Sequence, residues 1–98
     1  MDSTGYQQLD RETMARLRWQ CRRGMLELDL MLQPFVEKDY PALSDTSRAA
    51  FRKLLTYPDQ ELLEFLMGNK IPGNREVANV TDKIRQAINN QAGIFSAT

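Results

Sequence analysis

The stretch "CRRGMLELDL", residues 21–30, sets a glycine between a pair of arginines and an acidic, leucine-rich pattern of helical spacing. Its reading decides the fold. Upstream, Met14, Leu17 and Cys21 fall on one stripe, which predicts a first helix from about Gln8 to Arg22 with that stripe on the core. Downstream, Met25, Leu28, Leu32, Phe35 and Val36 make a second apolar stripe. Gly24 lies between the two and is expected to end the first helix, because a residue without Cβ takes the left-handed conformation at a helix C-terminus without steric cost. A sharp corner results, with Arg23 on the last turn of one helix and close to Glu27 on the first turn of the next, where the helix dipole favours a carboxylate. Pro34 has no backbone N–H and is expected to kink or divide the second helix.

Working outward, Ser44 ahead of "DTSRAAFRKLL" predicts a capped third helix that offers Phe51, Leu54 and Leu55 to the core. "YPDQ" interrupts it, and Asp59 is expected to cap a fourth helix, "QELLEFLM", which Gly68 terminates. Asn74 is expected to cap a fifth helix whose core face carries Val77, Val80, Ile84, Ala87 and Ile88. The β-branched residues are scattered and no segment alternates with period two between hairpin turns, so strands are not expected. The fold class is all-α, a compact five-helix bundle. At 98 residues the chain is one domain, with an ordered core of about residues 8–91 and frayed ends.

Composition narrows the function. The chain is 42% hydrophobic and 27% charged, as in ordinary globular proteins, and no apolar run approaches the ~20 residues that span a bilayer. The N-terminal "MDSTGYQQLDRE" has neither the basic start and apolar block of a secretory leader nor the Arg-rich character of a transit peptide, so a cytoplasmic location is expected. Thirteen basic and thirteen acidic side chains balance, yet Arg11, Arg16, Arg18, Arg22 and Arg23 precede Glu27, Asp29, Glu37 and Asp39. That bipolar layout disfavours nucleic acid, whose binders draw most of their affinity from an unopposed basic surface. With no histidine and one cysteine, the chain lacks the usual zinc ligands, a His general base and an internal disulfide. Three further features resolve to ordinary structure: "GNKIPGN" lacks the Lys-Ser/Thr of a phosphate loop, Glu61 and Glu64 read as a solvated face, and Cys21 lies on an apolar stripe.

The outward faces are more informative. Counting about 100° per residue, Arg16, Trp19 and Arg23 fall together opposite the core stripe of the first helix, an indole flanked by guanidinium groups. Burial of Trp19 under another segment and its use at an interface both remain open. On the second helix, Leu30, Met31 and Pro34 are expected to share the outer side with Glu27. The corner is thus expected to be part apolar and part charged, with Arg23 and Glu27 facing solvent.

The segment "RRGMLELD" resembles the signature of the succinate dehydrogenase assembly factors, Arg-Gly-x-x-Glu, which Arg23, Gly24 and Glu27 match. The likeness extends to Trp19 and Cys21 before the motif, "PFVEKDY" after it, and "FRKLL…YPDQELLEFLMG" further on; Phe65 departs from the tryptophan often found there. The resemblance implies a chaperone, not an enzyme, that binds the flavoprotein subunit of succinate dehydrogenase or fumarate reductase and promotes covalent attachment of FAD to a histidine of that client. FAD would then belong to the client, and the chain would carry no cofactor or metal of its own. The expected partner-binding residues are Arg23, Gly24 and Glu27 with Trp19, Arg16, Leu30 and Met31, and a monomer is expected. An antitoxin-type regulator of a toxin–antitoxin pair and a small helical nucleic-acid-binding domain are the competing readings.

Overall fold

In a computed structural model, which describes the backbone of residues 10–95 and the side chains of residues 10–90, the chain forms five helices and, among the described residues, no strand. Helix α1 is Arg11–Gln20, α2 Leu26–Lys38, α3 Asp45–Leu54, α4 Asp59–Met67 and α5 Arg75–Phe95. No helix among the described residues is long and apolar enough to cross a membrane.

The helix boundaries follow from local hydrogen bonding. Asp10 starts α1 by accepting the Thr13 amide at 2.7 Å, and that bond holds its carboxyl below the usual carboxylate range. The expected start at Gln8, and the N-terminal tail, lie outside the described residues. The helix ends at Gln20, short of the expected Arg22, with Cys21 as its right-handed C-cap. Gly24 does adopt a left-handed conformation, φ +79°, but within the connector rather than as the helix cap. Pro34 does not divide α2, which runs on to Lys38; a single proline removes one helical donor and the flanking turns keep theirs.

Ser44 caps α3 as expected, accepting the Ser47 amide at 3.1 Å. Pro58, not Asp59, precedes α4: Asp59 is the first residue of that helix, and its carboxylate turns to an arginine instead of capping its own amides. Gly68 closes α4 at φ +84°, and Asn74 caps α5 through a 3.0 Å bond from the Val77 amide. That last helix continues through Gln91 to Phe95, past the expected boundary of the ordered core.

Between α2 and α3 lies a 3-10 turn, Tyr40–Ala42, that the sequence pattern does not announce. Arg48 of α3 holds it, donating to the Tyr40 carbonyl at 3.4 Å and the Pro41 carbonyl at 2.6 Å, with its guanidinium 5.6 Å from the Tyr40 ring centroid. These partners are what allow a nearly buried arginine. Phe51 stands between Phe35 and Tyr40, ring centroids 5.5 and 5.4 Å away, and joins α2, the turn and α3 in one aromatic cluster.

The most extensive helix pairing is α3 with α5, and α1 packs mainly on α2. The expected stripes supply the core: Leu17 and Cys21 from α1 and its cap, Leu28, Leu32, Phe35 and Val36 from α2, and Val77, Val80 and Ile84 from α5 are all buried. Met14, Met25, Ala87 and Ile88 are partly buried against it.

Gly68 gives a test of the helix-end chemistry. A Cβ there lies 2.7 Å from Nη2 of Arg85, the mobile end of a long side chain, so the left-handed backbone supplies most of the penalty. Gly68→Ala should cost about 1–2 kcal/mol in urea unfolding. The cost should change little when Arg85→Ala is added.

Candidate functional site

The connector from Cys21 to Met25 is shaped by Arg23. Its backbone amide donates to Oδ1 of Asp29, on the first turns of α2, at 2.8 Å. Its guanidinium reaches in three directions: Nε to Oδ1 of Asp59 at 2.8 Å, Nη1 to the Gln20 carbonyl at 2.9 Å, and Nη2 to the Tyr57 carbonyl at 3.3 Å. The Arg23 side chain is only 16% exposed. Three parts of the chain meet on it: the end of α1, the segment before α4, and the start of α4.

This corrects the expected corner. Arg23 lies on neither helix, does not face solvent and does not pair with Glu27. Its departure from α1 has a physical cause, since the Asp59 carboxylate and the Tyr57 carbonyl, both beyond the helix, and the Gln20 carbonyl at its end take donors that would otherwise sit in water. Glu27 does face solvent, near the N-terminus of α2, and among the described residues its side chain makes no hydrogen bond or ion pair. Gly24 is exposed, and a Cβ on it would meet nothing within 4 Å. Within this chain the glycine is therefore required by its φ alone, and the space over its Cα is open to another backbone.

Trp19 settles on the outside, 71% exposed. It stands between two grooves and lines both. One, of about 540 Å³, runs between α1 and α2, where Leu30 and Pro34 add apolar surface and Arg22 and Asp29 add charge. An Arg18–Glu37 ion pair bridges the two helices within this groove. The other, about 420 Å³, is lined by Arg22, Arg23, Arg52, Leu55 and Asp59 among others. Of the expected trio, Arg23 shares the second groove with Trp19, whereas Arg16 is exposed on α1 and lines neither groove; Arg18 and Arg22 line the first groove with the indole. Leu30 is 65% exposed as expected, whereas Met31 is half-buried and packs on the core. Three residues after Leu28 and four before Phe35, Met31 sits at the edge of the buried stripe.

Asp29 and Asp59 were not among the expected site residues. Asp59 is 36 residues from Arg23, and no periodic signal marks a pairing over that distance. Cys21 is fully buried; burial pushes its thiol up to about 12, with Asp29 adding to the shift and Arg23 opposing it, so it stays a neutral core residue. Glu61 is paired with Lys70 at 3.3 Å. Among the described residues no group of three or more His, Cys, Asp or Glu could hold a metal ion.

Fold and site together define a class: a small helical bundle displaying a left-handed glycine corner, with an unpaired carboxylate and an unburied tryptophan nearby. Residues 15–88 match the family model described as flavinator of succinate dehydrogenase. Similar proteins include three named FAD assembly factor SdhE. That of Shewanella oneidensis is 44% identical over 72 residues, covering 74% of this chain and 88% of the relative. That of Legionella pneumophila strain Paris is 42% identical over 77 residues, 79% of this chain and 96% of the relative. That of Idiomarina loihiensis is 46% identical over 65 residues, 66% and 72% respectively. The chain belongs to the family of succinate dehydrogenase flavinators.

The site geometry separates two kinds of residue. Arg23→Ala removes a partly buried set of charge-assisted bonds and should lower stability by about 1–3 kcal/mol. Trp19→Ala should stay within about 0.5 kcal/mol of wild type, both measured by chemical unfolding. Iodoacetamide at pH 8 should label Cys21 in denaturant and leave it unlabelled in the folded protein.

Proposed function

We propose that this chain is a cytoplasmic assembly chaperone that docks on the flavoprotein subunit of succinate dehydrogenase or a related fumarate reductase and promotes covalent attachment of FAD to it. The observation that carries the reading is the corner itself: an open left-handed Gly24 and an exposed, unpartnered Glu27, in a chain of the flavinator family. The 98 residues include no histidine, in keeping with a flavin that becomes bonded to a histidine of the client and with a chaperone that supplies no catalytic group. FAD is the client's cofactor in this reading.

The chemistry asked of the chain is positional. A client that visits its reactive arrangement only part of the time forms the flavin bond faster when a partner binds that arrangement selectively. Gly24 admits the client backbone, Glu27 accepts from a client donor, and Trp19 and Leu30 bury apolar surface. Arg16 lies on the rim and Met31 contributes from the edge of the core stripe.

An exposed carboxylate adds little to folding, whereas truncating a charged contact that is desolvated in a complex costs about 2–5 kcal/mol in affinity. Glu27→Ala should therefore keep the wild-type melting temperature while weakening binding to the apo-flavoprotein by that amount. Titration calorimetry and protein-linked flavin fluorescence in denaturing gels measure the two effects. Normal binding and flavin attachment with both Glu27→Ala and Gly24→Ala would remove the corner from the mechanism.

A further inference from the structure

We propose that Asp59, on α4 and outside the Arg-Gly-x-x-Glu motif, is a positioning residue for docking: it latches Arg23, and the latch stays closed in the complex. The inference rests on the docking reading above and assigns the motif arginine an inward role within it.

The connector has little else to fix it. The last backbone bond from α1 is the Arg22 amide to the Trp19 carbonyl at 3.1 Å, and the first of α2 is the Asp29 amide to the Met25 carbonyl at 3.0 Å. Among the described residues the Gly24 amide makes no hydrogen bond. A glycine with open space around it has the widest choice of backbone conformations, so its direction must be imposed from its neighbours. Arg23 imposes it: its amide is held by Asp29 and its guanidinium by Asp59 and two carbonyls.

Three of the five guanidinium N–H donors of Arg23, one on each nitrogen, already have acceptors inside the chain. For Arg23 to swing outward to a client, its side chain would have to give up these bonds and leave the Asp59 carboxylate, itself 39% exposed, without its partner. Glu27 has no such commitment and is the charge free to meet the client. Asp59 thus acts through Arg23 on the presentation of Gly24 and Glu27, without touching the client's reacting atoms.

The test uses the full chain and the apo-flavoprotein with FAD, at a temperature where every variant is fully folded by circular dichroism. Asp59→Ala should raise the chaperone concentration needed for half-maximal flavin attachment about tenfold, within the range for coupled neighbours, and leave the rate at saturation unchanged. Asp59→Asn, which keeps shape and one acceptor, should shift it in the same direction by less. In an Arg23→Ala background neither change should have a further effect. In the free protein, hydrogen exchange of the Arg23 amide should accelerate in both variants. A purely stabilising role for Asp59 would lower the melting temperature without moving half-saturation of folded protein, and would overturn the proposal. So would Asp59→Ala binding as tightly as wild type or more tightly, because Arg23 would then be leaving Asp59 for the client. If Glu27→Ala still loses binding in that case, the latch falls and the docking reading stands. If wild type itself neither binds nor promotes flavin attachment, both fall.

Discussion

The guanidinium of Arg23 joins parts of the chain that local structure leaves separate. α1 packs mainly on α2, and the connector between them carries few backbone hydrogen bonds of its own. The Arg23–Asp59 pair crosses to α4, and the bonds to the Gln20 and Tyr57 carbonyls tie the end of α1 to the segment before α4. An arginine suits this position better than a lysine. Its planar fork offers donors in several fixed directions, whereas an ammonium would have to satisfy the same acceptors from one point. Only 16% of the side chain meets solvent, so these bonds are weakened less by water and salt than those of a surface pair.

The exposed residues nearby follow a different logic. A folded domain gains by burying tryptophan, and this one leaves Trp19 71% exposed with Leu30 at 65%. Nothing in the helix pattern forces that arrangement, because Leu17 and Cys21 already fill the core side of α1. Trp19 therefore adds little to the free protein. Its large apolar area, displayed between two grooves and close to an open glycine turn, is the composition that interface centres favour. Exposure of this kind is tolerated because the patch is interrupted by Arg18, Arg22 and Asp29, which keep the surface wet until a partner displaces the water.

Much of the fold was legible because helical periodicity and capping are local. Leu17, Leu28, Leu32, Phe35 and Ile84 were assigned to the core from spacing alone, and Ser44, Gly68 and Asn74 cap where their side chains or lack of one suggest. Several of the misses come from competition by a distant partner. Asp59 has the residue type of an N-cap but serves Arg23 instead, and α1 stops early because Arg23 is drawn across the bundle. The turn at Tyr40–Ala42 depends on Arg48, which no helical spacing marks for the core and which is buried with a cation–π contact and carbonyl bonds. Of the candidate site, the left-handed Gly24 and the outward Glu27 were legible and the inward turn of Arg23 was not.

That inward turn makes the two charged ends of the motif physically unlike. Arg23 and Glu27 are close in sequence and opposite in sign, which invites the idea of a local ion pair, but the structure gives the arginine to Asp59 and leaves the glutamate in water. Replacing Arg23 removes bonds that hold the fold together, whereas replacing Glu27 removes a side chain with no partner among the described residues. The left-handed glycine between them is the element that connects the two, since the fixed residue on its N-terminal side sets the angle at which the free carboxylate on the far side is displayed.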